Sequence, residues 1–397
     1  MSVYLDHAAT APMLPAAITA YAEAMTVVGN PASIHSQGQN AKRMLEEARE
    51  HVAASVHSDP IEIVFTGGGT ESVNLGIKGL YWARAPRGRI LVPGGEHHAT
   101  VDTVEWLAQQ EGATVQWIPL DGLGRIDLAA LADAIASNPA DVALITLLAA
   151  NNEVGTVQPI EAVAALAAAH GIPVHVDAIS AYGHLPIDFA RWHAAGVSAV
   201  SLSAHKIGGP VGIGALVLAR TATVVPLIHG GGQQRQVRSG TQDVAAAVSF
   251  AVAAVAMMAD LTSETGRLEL LRDRVISGVH AAVPSAVLNG DPDSAGRLPG
   301  NAHFTFPGSE GDSLLFLLDV AGVSVSTGSA CQAGIPEPSH VLRAMGRSEA
   351  EARSALRITL GRTSTQADVD AFLTALPVAW GQAIGAGMAD TAPRAYT

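Results

Sequence analysis

Lys206 and Asp177 each follow a short, β-branched apolar run, and open parallel sheets gather their ligands at such strand ends. The lysine lies in Ser201-Leu202-Ser203-Ala204-His205-Lys206-Ile207-Gly208-Gly209-Pro210. Among small and polar residues behind a buried strand, an amine loses charge by desolvation and can form an imine with an aldehyde. Most lysines are solvated surface charges, so this reading depends on its neighbours. The acid lies in His175-Val176-Asp177-Ala178. It could merely cap a helix, yet a carboxylate beside a pyridine nitrogen keeps that nitrogen protonated and makes the ring an electron sink. A third run end, Thr66-Gly67-Gly68-Gly69-Thr70-Glu71-Ser72, turns backbone N–H groups and a helix start toward an anion. The bland reading is a glycine turn with Thr70 as N-cap, and the spacing of a dinucleotide fingerprint or a nucleotide P-loop is missing. Asn151-Asn152-Glu153, after the run ending near Ile145, offers amides to a ring substituent. Amine, acid and anion cradle together describe a site for pyridoxal 5'-phosphate (PLP).

Three further positions bear on chemistry. The single cysteine, Cys331, sits in Ser326-Thr327-Gly328-Ser329-Ala330-Cys331-Gln332-Ala333-Gly334, small residues typical of a loop rather than an apolar core run. One thiol excludes an internal disulfide and a zinc site built from several thiolates. Arg357 is one cation in the apolar run Ala355-Leu356-Arg357-Ile358-Thr359-Leu360, a setting in which a guanidinium grips a carboxylate, either a ligand's or a structural Asp or Glu. Glu96-His97-His98 invites a metal reading, but adjacent residues rarely converge on one ion and no HExxH spacing is present. A π-face role for His97 on a planar cofactor fits better, against the alternative of two partly exposed polar residues.

Strand-like and helix-like segments alternate from about residue 60 to 220, the pattern of an α/β domain with a largely parallel sheet. A Pro159-to-His170 helix stopped by Gly171 is the clearest helical stretch. From about residue 262 the pattern changes to helix, strand, Gly-rich loop and strand, which reads as a smaller α+β domain. The apolar run Val244 to Ala259, bracketed by Asp243 and Asp260, is shorter than the ~18 residues of a membrane span and reads as a buried Ala-rich helix. With 48% hydrophobic residues, the chain has ample material for a core. Its formal charge of -13, from 36 acidic and 23 basic residues, opposes binding to nucleic acid and anionic membranes. The N-terminal MSVYLDHAAT lacks the pattern of a secretion signal, so the expected location is the cytoplasm.

These strings resemble the cysteine desulfurases of the nitrogen-fixation and iron–sulfur-cluster type, within the class V aminotransferase-like PLP enzymes. The likeness runs from Tyr4-Leu5-Asp6-His7-Ala8-Ala9-Thr10 to Leu360-Gly361-Arg362. Its most specific strings are Ser203-Ala204-His205-Lys206, Arg238-Ser239-Gly240-Thr241, and Gly328-Ser329-Ala330-Cys331 followed by Glu337-Pro338-Ser339-His340-Val341-Leu342-Arg343. The resemblance implies PLP fold-type I: a large domain over 15–260 with a mainly parallel seven-stranded sheet flanked by helices, and a small α+β domain made of 1–14 with 261–397, carrying the cysteine loop. It also implies that Lys206 holds PLP, Asp177 pairs with the ring nitrogen, His97 stacks on the ring and Asn152 approaches the phenolic oxygen. Gly69, Thr70, Ser203 and His205 would bind the phosphate, with Thr241 reaching across from the second subunit of a homodimer. Arg357 and Asn30 would hold the carboxylate of L-cysteine, and Cys331 would receive the sulfur as a persulfide for an acceptor protein.

One position departs from the family. Where a glutamine usually stands three residues after the ring-binding acid, this chain has Ser180, too short for the usual hydrogen bond without a water or a neighbour such as Asn152. A shifted pH titration of the bound cofactor is the expected consequence. The competing readings are selenocysteine lysis or another PLP-dependent C–S lysis that needs no protein thiol, and, more remotely, a non-catalytic partner on the same fold.

Overall fold

The structure is a computed structural model that describes residues 2–328 and 337–385. Its strands are β1 (Val3–Tyr4), β2 (Ile63–Thr66), β3 (Arg89–Pro93), β4 (Thr114–Ile118), β5 (Val142–Leu148), β6 (Val174–Asp177), β7 (Val197–Ser203), β8 (Gly214–Leu218), β9 (Val287–Leu288), β10 (Asn301–Thr305), β11 (Val323–Ser324) and β12 (Ala355–Thr359). The main sheet has 7 strands in the order β2-β8-β7-β6-β5-β3-β4. Only β8 runs against the others. Strands β5 and β6 are buried along their whole length, as expected for a sheet with helices on both faces.

The parallel arrangement is what assembles a site. Because β2, β3, β5, β6 and β7 point the same way, the segments after Thr66, Pro93, Leu148, Asp177 and Ser203 emerge along one edge. The helix Gly69–Ala83 is then held close over that edge by Gly76, where a Cβ would lie 2.5 Å from the His175 ring. His175 is buried in the sheet with both ring nitrogens used, at 2.9 Å from Thr146 Oγ1 and 2.8 Å from Ser201 Oγ, which ties β5, β6 and β7 together.

A smaller antiparallel sheet, ordered β12-β10-β9, packs with the helices Gly311–Val320 and Gln366–Gly385 around Phe304, Phe306 and Phe372. Leu5 belongs to this second core, and β1 pairs with β11, so the N-terminal segment joins the C-terminal unit. The expected break near residue 260 is instead the middle of one helix, Val244–Ala282. Its first half packs in the large core through Phe250 and Met257, its second in the small core through Leu268, Val275 and Val279. Gly266 interrupts it at a cost of only ~1 kcal/mol, less than burial on both sides returns. This helix is long and apolar enough to cross a membrane, although the apolar run Val244 to Ala259 alone is shorter than a span. Half of its most apolar window is buried, as in a core helix.

Candidate active site

A cavity of ≈ 400 Å³ opens where the carboxyl edge of the main sheet faces the small unit. Lys206, at the end of a 3-10 turn after β7, projects into it. Its Nζ donates to the carbonyls of Ala8 and, at 2.8 Å, Ala9, so the N-terminal strand segment fixes its direction. Burial, helped by the Arg357 cation, lowers the amine to about 8, while Asp6 and Asp177 oppose the shift. The neutral amine is the nucleophile toward an aldehyde, so PLP uptake by cofactor-free protein is expected to reach its half-maximal rate near pH 8, as Lys206 is lowered to about 8. Rapid-mixing absorbance measures this, and a rate still climbing beyond roughly pH 10, as for a solvated lysine, contradicts it.

Asp177 ends β6, 2% exposed, and its Oδ1 accepts the Ile179 N–H at 3.0 Å. Burial raises this carboxyl to about 6, against that hydrogen bond and the Lys206 charge. A cationic ring nitrogen would complete the pairing, since an opposite charge returns a buried acid to its ionised form.

The anion end is built by Gly69, Thr70, Ser203 and His205. A Cβ at Gly69 would stand 2.4 Å from Ile179 Cδ1 and 3.3 Å from Ser203 Cβ, so glycine alone leaves the cradle open. Gly68 caps the helix here, and Thr70 lies within its first turn. Ser203 Oγ is buried without a hydrogen-bond partner among the described residues, and the His205 ring, lowered to about 4 by burial and Lys206, is neutral. The nearby acid Glu71 does not spoil an anion site. Its carboxylate accepts the Gly67 N–H at 2.7 Å and pairs with Arg238 at 2.8 Å.

His97 N-caps the helix His98–Glu111, its Nδ1 accepting the Ala99 N–H at 3.0 Å. That bond leaves the ring proton on Nε2, and burial, with Lys206 next, lowers the imidazole to about 4. A neutral ring can lie against a planar cofactor without repelling the lysine. His98 turns instead toward His340, their ring centroids 4.9 Å apart. Among the described residues no group of three His, Cys, Asp or Glu side chains forms a metal site.

Arg357 reaches the cavity from β12. The structural acid that the sequence left open is Asp6, 2.8 Å from Nη2, while Nη1 donates to the Asn152 carbonyl at 2.8 Å. Its Nε is buried and has no hydrogen-bond partner among the described residues. Asn152 and Ser180 also line the cavity.

Two expected residues lie outside it. Asn30 is exposed, its Oδ1 taken by the Ala32 N–H at 2.9 Å in the turn before the helix Ser36–Ala54, so within one chain it does not reach the carboxylate position. Thr241 is exposed as well. Cys331 lies outside the described residues, but Gly328, three positions before it, lines the cavity. Sequence reasoning missed Asp6, the Ala8 and Ala9 carbonyls, and Glu96. The Glu96 carboxyl is buried, accepts the Leu148 N–H at 3.0 Å and is pushed well above its usual range by burial, with Asp177 adding to the shift. An acid just past a Gly-Gly turn after an apolar strand was the available signal, and the metal reading of its His neighbours absorbed it.

The open cradle at Gly69, the orphaned Ser203 oxygen, the depressed amine and the buried acid fit PLP as a group. Comparisons with known proteins agree. Residues 3–372 match the family model described as aminotransferase class-V. The chain is 52% identical to the IscS-like cysteine desulfurase of Mycobacterium tuberculosis, over 97% of this chain and 98% of that protein. A solved NifS-like protein superposes with a TM-score of 0.87 at 32% identity, covering 96% of this chain and all of that one. A structure described as SspA in complex with cysteine superposes with a TM-score of 0.78 at 33% identity, covering 90% of this chain and 99% of the other. The chain therefore belongs to the PLP-dependent class-V aminotransferase family, in its branch of NifS/IscS-type cysteine desulfurases.

Proposed function

We propose that this chain converts L-cysteine to L-alanine and takes the sulfur onto Cys331 as a persulfide. The observation that carries the proposal is one cavity that brings Lys206, Asp177, the Gly69 cradle and Arg357 together, with Gly328 on its wall three residues ahead of the sole cysteine. Lys206 would hold PLP, Asp177 its ring nitrogen, and Gly69, Thr70, Ser203 and His205 its phosphate. Bound there, PLP supplies an electron sink for the pair released at the substrate Cα.

The residues supply the rest. Arg357 orients the substrate carboxylate, and its pairing with Asp6 keeps the fork from swinging. Lys206, once displaced by the substrate amine, takes the Cα proton; an amine lowered to about 8 is partly unprotonated at neutral pH. The Cys331 thiolate then forms an S–S bond to the substrate sulfur as the Cβ–S bond breaks, and the carbon fragment gains protons and leaves as alanine. A serine could not carry sulfur onward.

Thr241 is proposed to complete the phosphate site of a second copy, and Asn30 to act beside it. A groove of ≈ 360 Å³ lined by Pro31, Ala32 and Gln242 brings their two segments side by side on one face. The sulfur passes from Cys331 to an acceptor protein for cluster assembly, tRNA thiolation or another sulfur-using pathway. The test is a single turnover with L-cysteine followed by peptide mapping of two portions, one reduced with borohydride to fix PLP on lysine and the other alkylated without reductant to keep the persulfide. PLP is expected on the Lys206 peptide and one extra sulfur on the Cys331 peptide, matched by one alanine. Alanine formed with all sulfur released as free sulfide and none on the enzyme contradicts the proposal.

A further inference from the structure

Lys206 stands between two spaces. Behind the main cavity lies a second one of ≈ 30 Å³, lined by His7, Ala8, Asn152, Ser180, His184 and Lys206 among others. Ala8, Asn152, Ser180 and Lys206 face both, so the partition is thin. Four residues lining the small cavity carry buried polar atoms that make no hydrogen bond among the described residues, Asn152 Oδ1, His184 Nδ1, His7 Nδ1 and Asn301 Oδ1. Two of these, His7 Nδ1 and Asn301 Oδ1, lie close against the backbone of Gly361 and Gly155, where a Cβ would stand 2.2 Å and 2.7 Å from them.

Orphaned buried polar atoms are normally satisfied by ordered water, and a water needs roughly 10–15 Å³ with two to four polar partners. Both conditions hold. We propose that the small cavity binds one water molecule between Asn152 Oδ1, His184 Nδ1 and Ser180 Oγ, and that this water solvates the Lys206 amine from behind.

The hydrogen-bond balance closes. In the cofactor-free protein the water donates to Asn152 Oδ1 and to the unprotonated Nδ1 of a neutral His184, and accepts from the Ser180 hydroxyl and from the third N–H of the charged Lys206 amine, the one not engaged by Ala8 and Ala9. Ser180 makes this possible, because a longer side chain there would have to enter one of the two spaces. The water thus takes up part of what an amide at this position would do.

Besides the water, the groups that act on Lys206 are Asp6 from the N-terminal segment, Asp177 from β6, Arg357 from β12, and the neutral rings of His97, His184 and His205. Removing the water leaves these in place and takes solvation from the charged form, which lowers proton affinity.

The inference rests on the placement of the cofactor at Lys206, which peptide mapping tests separately. In the cofactor-free protein, Ser180→Val and His184→Phe are each expected to expel the water and lower the midpoint pH of the PLP-uptake rate by ~0.5 unit or more, about 3-fold in proton affinity. Since both remove the same water, the double variant should move no further than the larger single shift. A high-resolution crystal structure of the cofactor-free parent should show density for a water bridging Asn152 and His184. An unmoved midpoint, strictly additive shifts, or no density there overturns the proposal. If Ser180→Val does not fold, the His184→Phe titration and the parent map decide it.

Discussion

Lys206→Ala is expected to lower cysteine turnover by at least ~10⁴-fold while the protein still folds and still takes up PLP non-covalently. Two losses combine. The covalent anchor disappears, and so does the base that removes the Cα proton, a role no other group replaces: His97 and His205 are both lowered to about 4, and Glu96, pushed well above its usual range by burial, does not line the cavity. Folding should survive because Nζ bonds only the Ala8 and Ala9 carbonyls, which the cavity opens to solvent. The variant carries a second signature. The Lys206 charge helps hold Asp177 down at about 6, so without it the Asp177 carboxyl rises. Its weaker pairing with the ring nitrogen should show as lower PLP affinity. Turnover is read from alanine release and affinity from equilibrium dialysis. A variant that keeps more than about a hundredth of the parental rate would show that another base acts.

The legible part of this molecule was its strand ends. Apolar runs followed within a few residues by Asp177, by Lys206 and by the Gly69 turn are local patterns, and a parallel sheet gathers such patterns along one edge. Long-range partners were not legible. Arg357 sits 351 residues from Asp6, and only the pairing of β1 with β11 and of Thr359 with Asp6 brings them together. The same holds for Lys206, whose carbonyl partners come from the chain's first ten residues. The helix Val244–Ala282 was read short because its composition changes at Asp260, whereas packing on two cores carries it through. Asn30 and Thr241 were chosen on resemblance alone, and the single chain leaves both exposed on a face that a second copy would have to cover.

Cys331→Ala is expected to reduce sulfur release from cysteine by about 10³-fold, ~4 kcal/mol of barrier, while leaving cofactor absorbance and cysteine binding near parental. The separation follows from the roles argued above. Capture of PLP and substrate depends on Lys206, Asp177 and Arg357, whereas scission of the Cβ–S bond needs a nucleophile on sulfur. The chain has no second thiol to supply it. The spectral change on adding cysteine should therefore appear at the parental rate and then persist, since Lys206 still removes and returns the Cα proton but the bond to sulfur stays intact. This outcome divides the rival chemistries on the same scaffold. A C–S or selenocysteine lyase that expels the chalcogen without protein help would lose nothing with the thiol, and its variant would release sulfide at the parental rate. A non-catalytic relative would show no turnover in either form. Selenocysteine offers a finer comparison: its C–Se bond is weaker and its leaving group more acidic, so any residual activity of Cys331→Ala should favour selenocysteine over cysteine, while the parental enzyme should not need that help.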